Sequence, residues 1–256
     1  MTNAQWIALY TILRREIGRV FRIWKQTLLP PVITQSLYFI VFGTFIGSQI
    51  ASIKGISYMA YIVPGIVMMS VITSAYSNVV FSFFGAKFMR NVDEMLVSPM
   101  SYRVLLGGYV LSGVARAFIT GALVFVVSLL FVRTGIAHPL TILIFTVLTS
   151  ALFSLGGFLN ALFAQSFDDA GTFTTFVLTP LTYLGGVFYS VDQLPPFFKT
   201  LSYANPMVYM VDGIRYGFYG VHDTNLWAGA GFLIVVIAIL IACNMHLLKK
   251  GTGLRS

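Results

Sequence analysis

The chain contains 256 residues, of which 57% are hydrophobic and only 9% are Asp, Glu, Lys or Arg. Ordinary soluble domains contain about 25% charged residues, so this composition excludes a disordered chain, a secreted disulfide scaffold and almost any soluble enzyme. The formal net charge of +8 comes from basic residues that flank long apolar runs, a pattern typical of membrane topology signals rather than of nucleic-acid binding.

The first predicted element, within residues 1–27, is an amphipathic helix on the membrane surface. Apolar residues recur at three- and four-residue spacing from Trp6 to Trp24. The same segment carries Arg14, Arg15, Arg19, Arg22 and Lys25. We expect the apolar face to enter the lipid and the arginines to face lipid phosphates. A cleaved signal peptide is disfavoured, because the following apolar run is too long and no small-residue cleavage site follows it.

Six apolar runs are each long enough to cross about 30 Å of hydrocarbon as a helix. Spans one to five lie within residues 28–189 and span six covers residues 226–248. The predicted spans are Leu28–Ile50, Met59–Phe84, Leu105–Val132, Leu140–Ala164, Ala170–Tyr189 and Leu226–Leu248. The sequence therefore predicts an all-α integral membrane protein, with residues 1–256 forming one transmembrane domain.

The basic residues between the spans predict the orientation. With the N-terminus inside, the cytoplasmic side receives eleven: the five of the first helix, Lys87, Arg90, Arg103, Lys249, Lys250 and Arg255. The other side receives four, namely Lys54, Arg133, Lys199 and Arg215. This asymmetry predicts a multi-pass protein with both termini in the cytoplasm.

The cytoplasmic connection, residues 85–104, mixes charges with a short helical pattern that Pro99 stops. A helix between Lys87 and Val97 would present Arg90 and Glu94 on one face at i,i+4, with apolar contacts nearby. This pattern predicts a docking helix for a partner protein. A solvated loop is the alternative.

The second long connection, residues 190–221, is unusually apolar for an external loop. We predict two short helices in it, the first capped by Asp192 and the second begun by Asn205 and Pro206. Asp212 and Arg215 lie at i,i+3, where an ion pair would neutralise both charges beside lipid. Helices too short to span favour a hairpin that re-enters the membrane from outside. An ordinary external loop is the alternative, and Lys54 is expected in such a plain loop.

The chemistry of cofactors and catalysis is missing from the sequence. No Gly-Lys step exists for a phosphate-binding loop, the three histidines are far apart, and Cys243 is the single cysteine. We therefore expect no bound cofactor, no metal and no ATP hydrolysis by this chain alone. Arg116 is the one charge deep within a span; it either contacts polar partners along a pathway or between helices, or extends to the cytoplasmic phosphates.

Two motifs carry a family resemblance. Residues 180–196 read Pro-Leu-Thr-Tyr-Leu-Gly-Gly-Val-Phe-Tyr-Ser-Val-Asp-Gln-Leu-Pro-Pro and are followed by Asn205-Pro206, Asp212 and Arg215. Residues 93–99 read Asp-Glu-Met-Leu-Val-Ser-Pro, close to a Glu-x-Leu-x-x-Ser-Pro stretch, although Asn91-Val92 replaces the usual Gly-Thr. Together they resemble the ABC type-2 permeases, the membrane subunits of ATP-binding cassette exporters, from about residue 17 to the C-terminus.

The resemblance implies an exporter of the bacterial inner membrane, built from two copies of this chain and two separate ATPase subunits that hold ATP and Mg²⁺. Such exporters move amphiphilic or lipid-linked substrates out of the cytoplasm or inner leaflet by alternating access. The implied ATPase-coupling residues are Lys87, Arg90, Asp93, Glu94, Leu96, Ser98 and Pro99. The implied re-entrant hairpin includes Asp192, Pro195, Pro196, Asn205, Pro206, Asp212 and Arg215.

The resemblance also implies that the first and fifth spans line the substrate path. The pathway candidates in those spans are Tyr38, Phe39, Phe42, Phe45, Phe173, Phe176 and Tyr183. Two other functions remain open. An ion-coupled secondary transporter would need acidic groups at mid-membrane, which are missing here. A non-transporting membrane assembly protein would not need a cytoplasmic docking loop.

Overall fold

The computed structural model describes residues 3–47, 49–50 and 52–254. They form an all-α fold with one minimal antiparallel hairpin. The helices and strands are α1 (Asn3–Arg22), α2 (Trp24–Thr27), α3 (Leu29–Tyr38), a π-helix (Phe39–Ile46), β1 (Ser52–Ile53), β2 (Ile56–Ser57), α4 (Tyr58–Phe88), α5 (Asn91–Val97), α6 (Tyr102–Ser128), α7 (Pro139–Phe163), α8 (Phe167–Phe173), a second π-helix (Thr174–Leu178), α9 (Thr179–Tyr183), a 3₁₀ helix (Val191–Gln193), α10 (Pro196–Tyr203), α11 (Pro206–Tyr219) and α12 (Leu226–Lys250). Arg255, which contributes to the predicted orientation, lies outside the described residues.

Helix α4 is the centre of the bundle. It is apolar around its whole circumference and is buried along most of its length, against α6, α7 and α11. Small residues allow this close approach: a Cβ on Gly157 of α7 would lie 2.7 Å from the Tyr76 carbonyl of α4. The core of the protein therefore follows the second predicted span.

Five helical segments are long and apolar enough to cross a membrane. They are Trp24–Ile46, Tyr58–Phe88, Tyr102–Ser128, Pro139–Phe163 and Leu226–Lys250. Each overlaps a predicted span, with ends that differ by up to four residues. The second span is longer than predicted because the helix continues through Lys87 to Phe88.

The predicted span Ala170–Tyr189 is a shorter and less regular helix than its hydropathy indicates. Helical turns run from residue 167 to 183 as α8, a π-helix and α9, about 25 Å at 1.5 Å per residue. Threonine hydroxyls bond back to carbonyls along it, as Thr179 Oγ1 does to Thr174 O at 2.9 Å. The chain then leaves the helix at Gly185 and Gly186, and Gly186 adopts φ +72°.

The predicted N-terminal amphipathic helix is present as α1. Its inward stripe is Ile12, Glu16 and Val20, spaced four residues apart, and it packs on α6. A Cβ on Gly108 would lie 2.7 Å from Ile12 Cγ2, so the two helices approach closely. Large aromatic side chains remain exposed on the outside: Trp6, Tyr10, Phe21 and Trp24.

The two short helices predicted after residue 190 are also present, as α10 and α11. The Asn205 side chain accepts from Met207 N at 3.0 Å, and Pro206 occupies the first turn of α11, as predicted. The prediction that Asp192 caps a helix is wrong: it lies inside the 3₁₀ helix and its carboxylate binds lysines instead.

The β1–β2 hairpin was not predicted. Its two-residue turn, Lys54-Gly55, has positive φ at both positions (52° and 78°), as a tight hairpin turn requires. Strands of two residues leave too little alternation in the sequence to be detected.

Candidate functional site

The docking helix predicted on the cytoplasmic side is α5, and it begins later than predicted. Arg90 adopts the left-handed conformation (φ 60°) between α4 and α5, so the helix begins only at Asn91. The predicted face shared by Arg90 and Glu94 is therefore wrong, because Arg90 is not helical. The helix ends at Val97, and Ser98 is extended before Pro99 (ψ 155°), as proline requires of its predecessor.

Helix α5 has one anchoring side and one free side. Val92 is buried in the main core, and Leu96 packs against that core while half-buried. Asp93, Glu94 and Val97 face outward, and Val97 keeps 89% of its surface exposed. An exposed valine one helical turn after two carboxylates, and next to Ser98 and Pro99, gives the mixed apolar and polar surface typical of protein interfaces.

A groove lies on each side of α5. One, of about 580 Å³, includes Asp93 and is lined by Lys87, Arg90, Val92, Asp93, Leu96, Val97 and Leu254. The other, of about 490 Å³, includes Glu94 and is lined by Ala8, Thr11, Ile12, Arg15, Asn91, Glu94, Met95, Ser98 and Met100. The helix therefore stands as a ridge between α1 and the C-terminal turn.

Lys87, a predicted coupling residue, points into the protein. Its amine donates to the carbonyls of Ala161 (3.2 Å), Leu162 (2.9 Å) and Ala164 (2.8 Å). These carbonyls lie at the C-terminal end of α7, where helix carbonyls lack intrahelical partners and a cation is favourable. Lys87 thus caps α7 and does not belong to the exposed surface of α5.

At the opposite end of the bundle, aromatic side chains join α3 to the segment after α9. The hydroxyls of Tyr38 and Tyr183 are hydrogen-bonded, and Phe42 stacks on Phe188 with ring centroids 4.2 Å apart. Tyr38 also packs edge-on against Phe188 at 5.8 Å. Three pathway candidates therefore lie together with Phe188, a residue that sequence reasoning missed although it belongs to the 180–196 motif.

The remaining pathway candidates divide into exposed and packed side chains. Phe45 and Phe176 are 70% and 75% exposed. Phe173 is also exposed but stacks on Tyr76 at 5.5 Å. Phe39 is fully buried and stacks on Phe131 at 5.5 Å, so the structure gives it a packing role inside the chain.

An apolar cavity of about 240 Å³ lies between α9 and α10, beside the aromatic cluster. It is lined by Leu181, Leu184, Tyr189, Leu194, Phe198, Leu201, Ser202, Ala204 and Asn205. Asn205 Nδ2 closes one side by donating to Leu181 O at 2.7 Å. Pro195 and Pro196 begin α10, with Pro195 at its N-cap position, and set its direction above this cavity.

Asp212 and Arg215 are both buried, but the predicted ion pair between them is wrong. Asp212 accepts from the backbone N–H groups of Asp223 and Thr224, both at 2.7 Å, and from the Thr224 hydroxyl at 2.6 Å. Arg215 donates to Gly186 O at 2.7 Å, and its guanidinium lies 4.1 Å from the centroid of the Tyr61 ring. Each residue thus fixes a different loop against α11.

Lys54 is part of a charge cluster, so its predicted place in a plain loop is wrong. It forms ion pairs with Asp192 and Asp223, and Lys199 approaches Asp192 at 2.8 Å. Asp223 also accepts from Ser190 Oγ at 2.9 Å and Val191 N at 3.1 Å. The hydrogen bond from Lys199, with that from Lys54, lowers the pKa of Asp192 below its usual value.

A polar network joins α1 to the bundle, and sequence reasoning missed its carboxylate, Glu16. This buried carboxylate binds Arg15 (3.1 Å) and Arg19 (3.0 Å) and accepts from the hydroxyl of Ser82. Arg15 and Arg19, which were expected to face lipid phosphates, also bind Glu16 within the protein, although their side chains remain 45% and 34% exposed. The sequence does contain a signal for this buried carboxylate. Glu16 is a single acid among five basic residues, and it lies four residues from both Ile12 and Val20 on the inward face of α1.

Arg116 connects helices in the same region. It donates to Thr27 O at 3.0 Å and contacts Asn78 Oδ1 at 3.5 Å. Arg19 donates to the same Asn78 oxygen at 3.1 Å. Arg116 was expected either to contact polar partners along a pathway or between helices, or to extend to the cytoplasmic phosphates. The structure shows contacts between helices. Among the described residues, no group of three His, Cys, Asp or Glu is arranged to hold a metal ion.

Comparison with known proteins gives consistent matches. A family model described as ABC-2 type transporter matches residues 7–219. The inner membrane transport permease YadH of Escherichia coli strain K12 is 53% identical over 256 residues, covering 100% of both chains. Nodulation protein J of Rhizobium leguminosarum bv. trifolii is 26% identical over 253 residues, which is 97% of this chain and 94% of the relative.

Proposed function

Because the chain belongs to the ABC-2 type transporter family, we propose that it is the membrane subunit of an ATP-driven exporter for an amphiphilic or lipid-linked substrate. ATP and Mg²⁺ are held by a separate ATPase subunit, and the working unit contains two copies of each chain. The substrate leaves from the cytoplasm or the inner leaflet. This chain supplies the path and no catalytic group.

The observation that carries this proposal is the geometry of α5. Its buried side is fixed to the core through Val92, while Asp93, Glu94 and Val97 are free on the outside. Grooves on both sides leave the ridge open to a partner. A solvated loop would need neither an anchoring residue nor a rigid helix, so this arrangement favours docking of the ATPase.

The same geometry supports alternating access. Only Met89 and Arg90 separate α5 from α4, and α4 contacts α6, α7 and α11. A displacement of α5 by ATP-dependent closure of the ATPase pair would therefore act directly on the central helix. The two permease copies would then exchange inward-open and outward-open packings, each favoured by a different nucleotide state.

The membrane arrangement is part of the proposal. The segment 167–183 serves as a sixth crossing, since 17 residues is the lower limit for a helical span. Helices α10 and α11 form the re-entrant hairpin, and the exposed Phe197, Phe198 and Leu201 of α10 suit a lipid environment. YadH is named an inner membrane permease, and we assign this chain to the bacterial inner membrane with both termini in the cytoplasm.

The aromatic cluster of Tyr38, Phe42, Tyr183 and Phe188 is the proposed outer part of the substrate path. It joins the first span to the end of the fifth, and the same two segments also carry Phe45 and Phe176, whose side chains are exposed. Flat, apolar side chains with hydroxyl groups would accept the apolar portion of an amphiphile without binding it tightly. A second copy facing this surface would complete the path.

Glu94→Lys tests the docking proposal. If α5 seats in the ATPase, the substitution places a wrong charge in a partly desolvated contact and costs several kcal/mol of binding. The assay is co-purification of the ATP-binding cassette subunit with the tagged chain, together with ATP hydrolysis by the complex. We expect association and stimulated hydrolysis to fall at least about tenfold.

Asp168→Lys is the matched control, because Asp168 is also an exposed carboxylate and lies on the proposed cytoplasmic side at the start of α8. Correct membrane insertion of both variants is verified by their yield in the membrane fraction. Wild-type association and hydrolysis in Glu94→Lys would remove Glu94 from the interface and contradict the docking role of α5.

A further inference from the structure

A cluster of three arginines and one carboxylate lies between α1, α4 and α6, and its charges do not balance. Glu16 is bonded by Arg15 and Arg19. Arg116 has no carboxylate within 4 Å in the described part of the chain and reaches only the neutral Thr27 O and Asn78 Oδ1. The other seven acids of the chain lie elsewhere: two in α5, two in α8, one in the 3₁₀ helix, one in α11 and one, Asp223, between α11 and α12. The cluster therefore keeps two excess positive charges.

The excess charge is concentrated at Arg19 and Arg116. Both guanidiniums approach the same acceptor, Asn78 Oδ1, from different helices. The Nε atoms of both side chains are buried without a hydrogen-bond partner. Both hydrogen bonds of Arg19 leave from Nη2, so Nη1 has no acceptor among the described residues. Two positive charges that share one acceptor favour the binding of an anion beside them.

The cluster lies beside the start of the first span, because Arg116 donates to Thr27 O and that span begins at Trp24. Helices α1 and α2 carry the exposed aromatic residues Trp6, Tyr10, Phe21 and Trp24, which are typical of the membrane–water interface. Arg19 lies among them in the sequence, and its side chain keeps 34% of its surface exposed. A lipid headgroup can therefore reach Arg19, while Arg116 lies behind it and adds to the positive potential.

We propose that this cleft binds the phosphate group of an anionic phospholipid from the adjoining leaflet, which the proposed topology makes the cytoplasmic one. Arg19 contacts the phosphate directly, and Arg116 strengthens the site from the α6 side. A buried guanidinium without a carboxylate partner is unfavourable, so a bound phosphate would supply the negative charge that the protein's own side chains do not provide. The lipid would also join α1 to α6 at the point where α1 leads into the first span.

The test uses the full chain purified in a zwitterionic detergent. Phosphatidylglycerol, phosphatidylethanolamine or inorganic phosphate is added, and retained lipid is counted by native mass spectrometry. The increase in apparent unfolding temperature is measured in parallel. We expect preferential retention and stabilisation with phosphatidylglycerol. Equal effects from inorganic phosphate would overturn the lipid assignment, and equal effects from phosphatidylethanolamine would overturn the requirement for an anionic lipid.

Variants of the cluster locate the site. Arg19→Gln and Arg116→Gln should each weaken phosphatidylglycerol binding about fivefold, the effect expected for one basic residue at a membrane surface. Arg14→Gln is the matched control, because it removes the same charge from an exposed position of the same helix. If Arg19→Gln behaves like Arg14→Gln, the headgroup binds elsewhere and the proposal fails.

Glu16→Gln separates lipid binding from a purely structural network. It removes the neutralising carboxylate and raises the excess charge of the cluster by one, so phosphatidylglycerol binding should strengthen about fivefold even though the variant itself is less stable. A network that only held the helices together would show the loss of stability without tighter lipid binding. Lost stability without tighter lipid binding in Glu16→Gln would therefore also overturn the proposal. This measurement is informative even if the Arg116→Gln variant does not fold.

Discussion

Lys87→Met tests whether Lys87 supports the coupling region from inside or binds the ATPase from outside. Methionine keeps the length of the buried side chain but removes the amine that donates to three carbonyls at the end of α7. The expected result is a loosened α7 end beneath α5, with the exposed surface of α5 unchanged in sequence.

The magnitude follows from the contacts. Hydrogen bonds from a charged donor contribute about 1.5–3 kcal/mol each. Removing the amine also removes its desolvation cost, which amounts to several kcal/mol for a buried charge. Water can reach part of the freed carbonyls, so the net loss is about 3 kcal/mol. For a chain of this size, that lowers the apparent unfolding temperature by roughly 6–12 °C.

The assay is thermal unfolding of the detergent-solubilised protein, followed by size-exclusion chromatography after heating. Lys249→Met is the control, since it makes the same substitution at an exposed position in the last turn of α12. The reasoning is refuted if both variants unfold at the wild-type temperature. Normal stability with lost ATPase association in Lys87→Met would instead return Lys87 to the docking surface.

Three further predictions concern the end of the bundle opposite α5. Asp212→Asn and Arg215→Gln should each lower the free energy of unfolding. Because the two residues bind different loops, the double variant should show the sum of the two decreases within about 0.5 kcal/mol. A clear departure from that sum would indicate a direct interaction between Asp212 and Arg215. The lysine partners of Asp192 lower its pKa, so its contribution to folding stability is present above the ordinary carboxylate pKa, near pH 4, and is lost as the pH falls through the lowered value. Asp192→Asn should therefore make thermal stability less sensitive to acid below about pH 4. An unchanged pH profile would contradict the ion pairs. Tyr38→Phe and Tyr183→Phe should each have the same effect on substrate-stimulated ATP hydrolysis as the double variant, because either change breaks their one shared hydrogen bond; additive effects would show that the hydroxyls act separately.

The coarse architecture could be predicted because hydropathy and capping are local properties. Apolar runs of sufficient length must become helices in a membrane, where every backbone polar group needs an internal partner. This argument located five long helices, and three- to four-residue periodicity located α1. The start of α11 was equally local, since an asparagine before a proline satisfies the first N–H groups of a helix.

Predictions failed where a charged side chain binds a partner far away in the sequence instead of a neighbouring residue. Asp212 lies three residues from Arg215, yet it binds the loop at Thr224, because two backbone N–H groups and a hydroxyl satisfy a buried carboxylate better than one neighbour. Lys54 was expected in a plain loop for the same reason, since its partners lie more than 130 residues away.

The sequence by itself determined that this is a helical membrane protein with a short helix after the second span and two short apolar helices before the last span, because each of these follows from periodicity, hydropathy and short motifs. Only the tertiary structure decided which charged side chains are exposed and which are bound inside the protein. Lys87 and Glu94 have similar sequence contexts. Lys87, however, lies at the end of α7 and donates to backbone carbonyls there, while Glu94 faces outward. Glu16 and Arg116 are separated by 100 residues, and only the packing of α1 on α6 brings them into one network. Burial makes an unsatisfied charge costly, and the three-dimensional contacts determine which charges are satisfied.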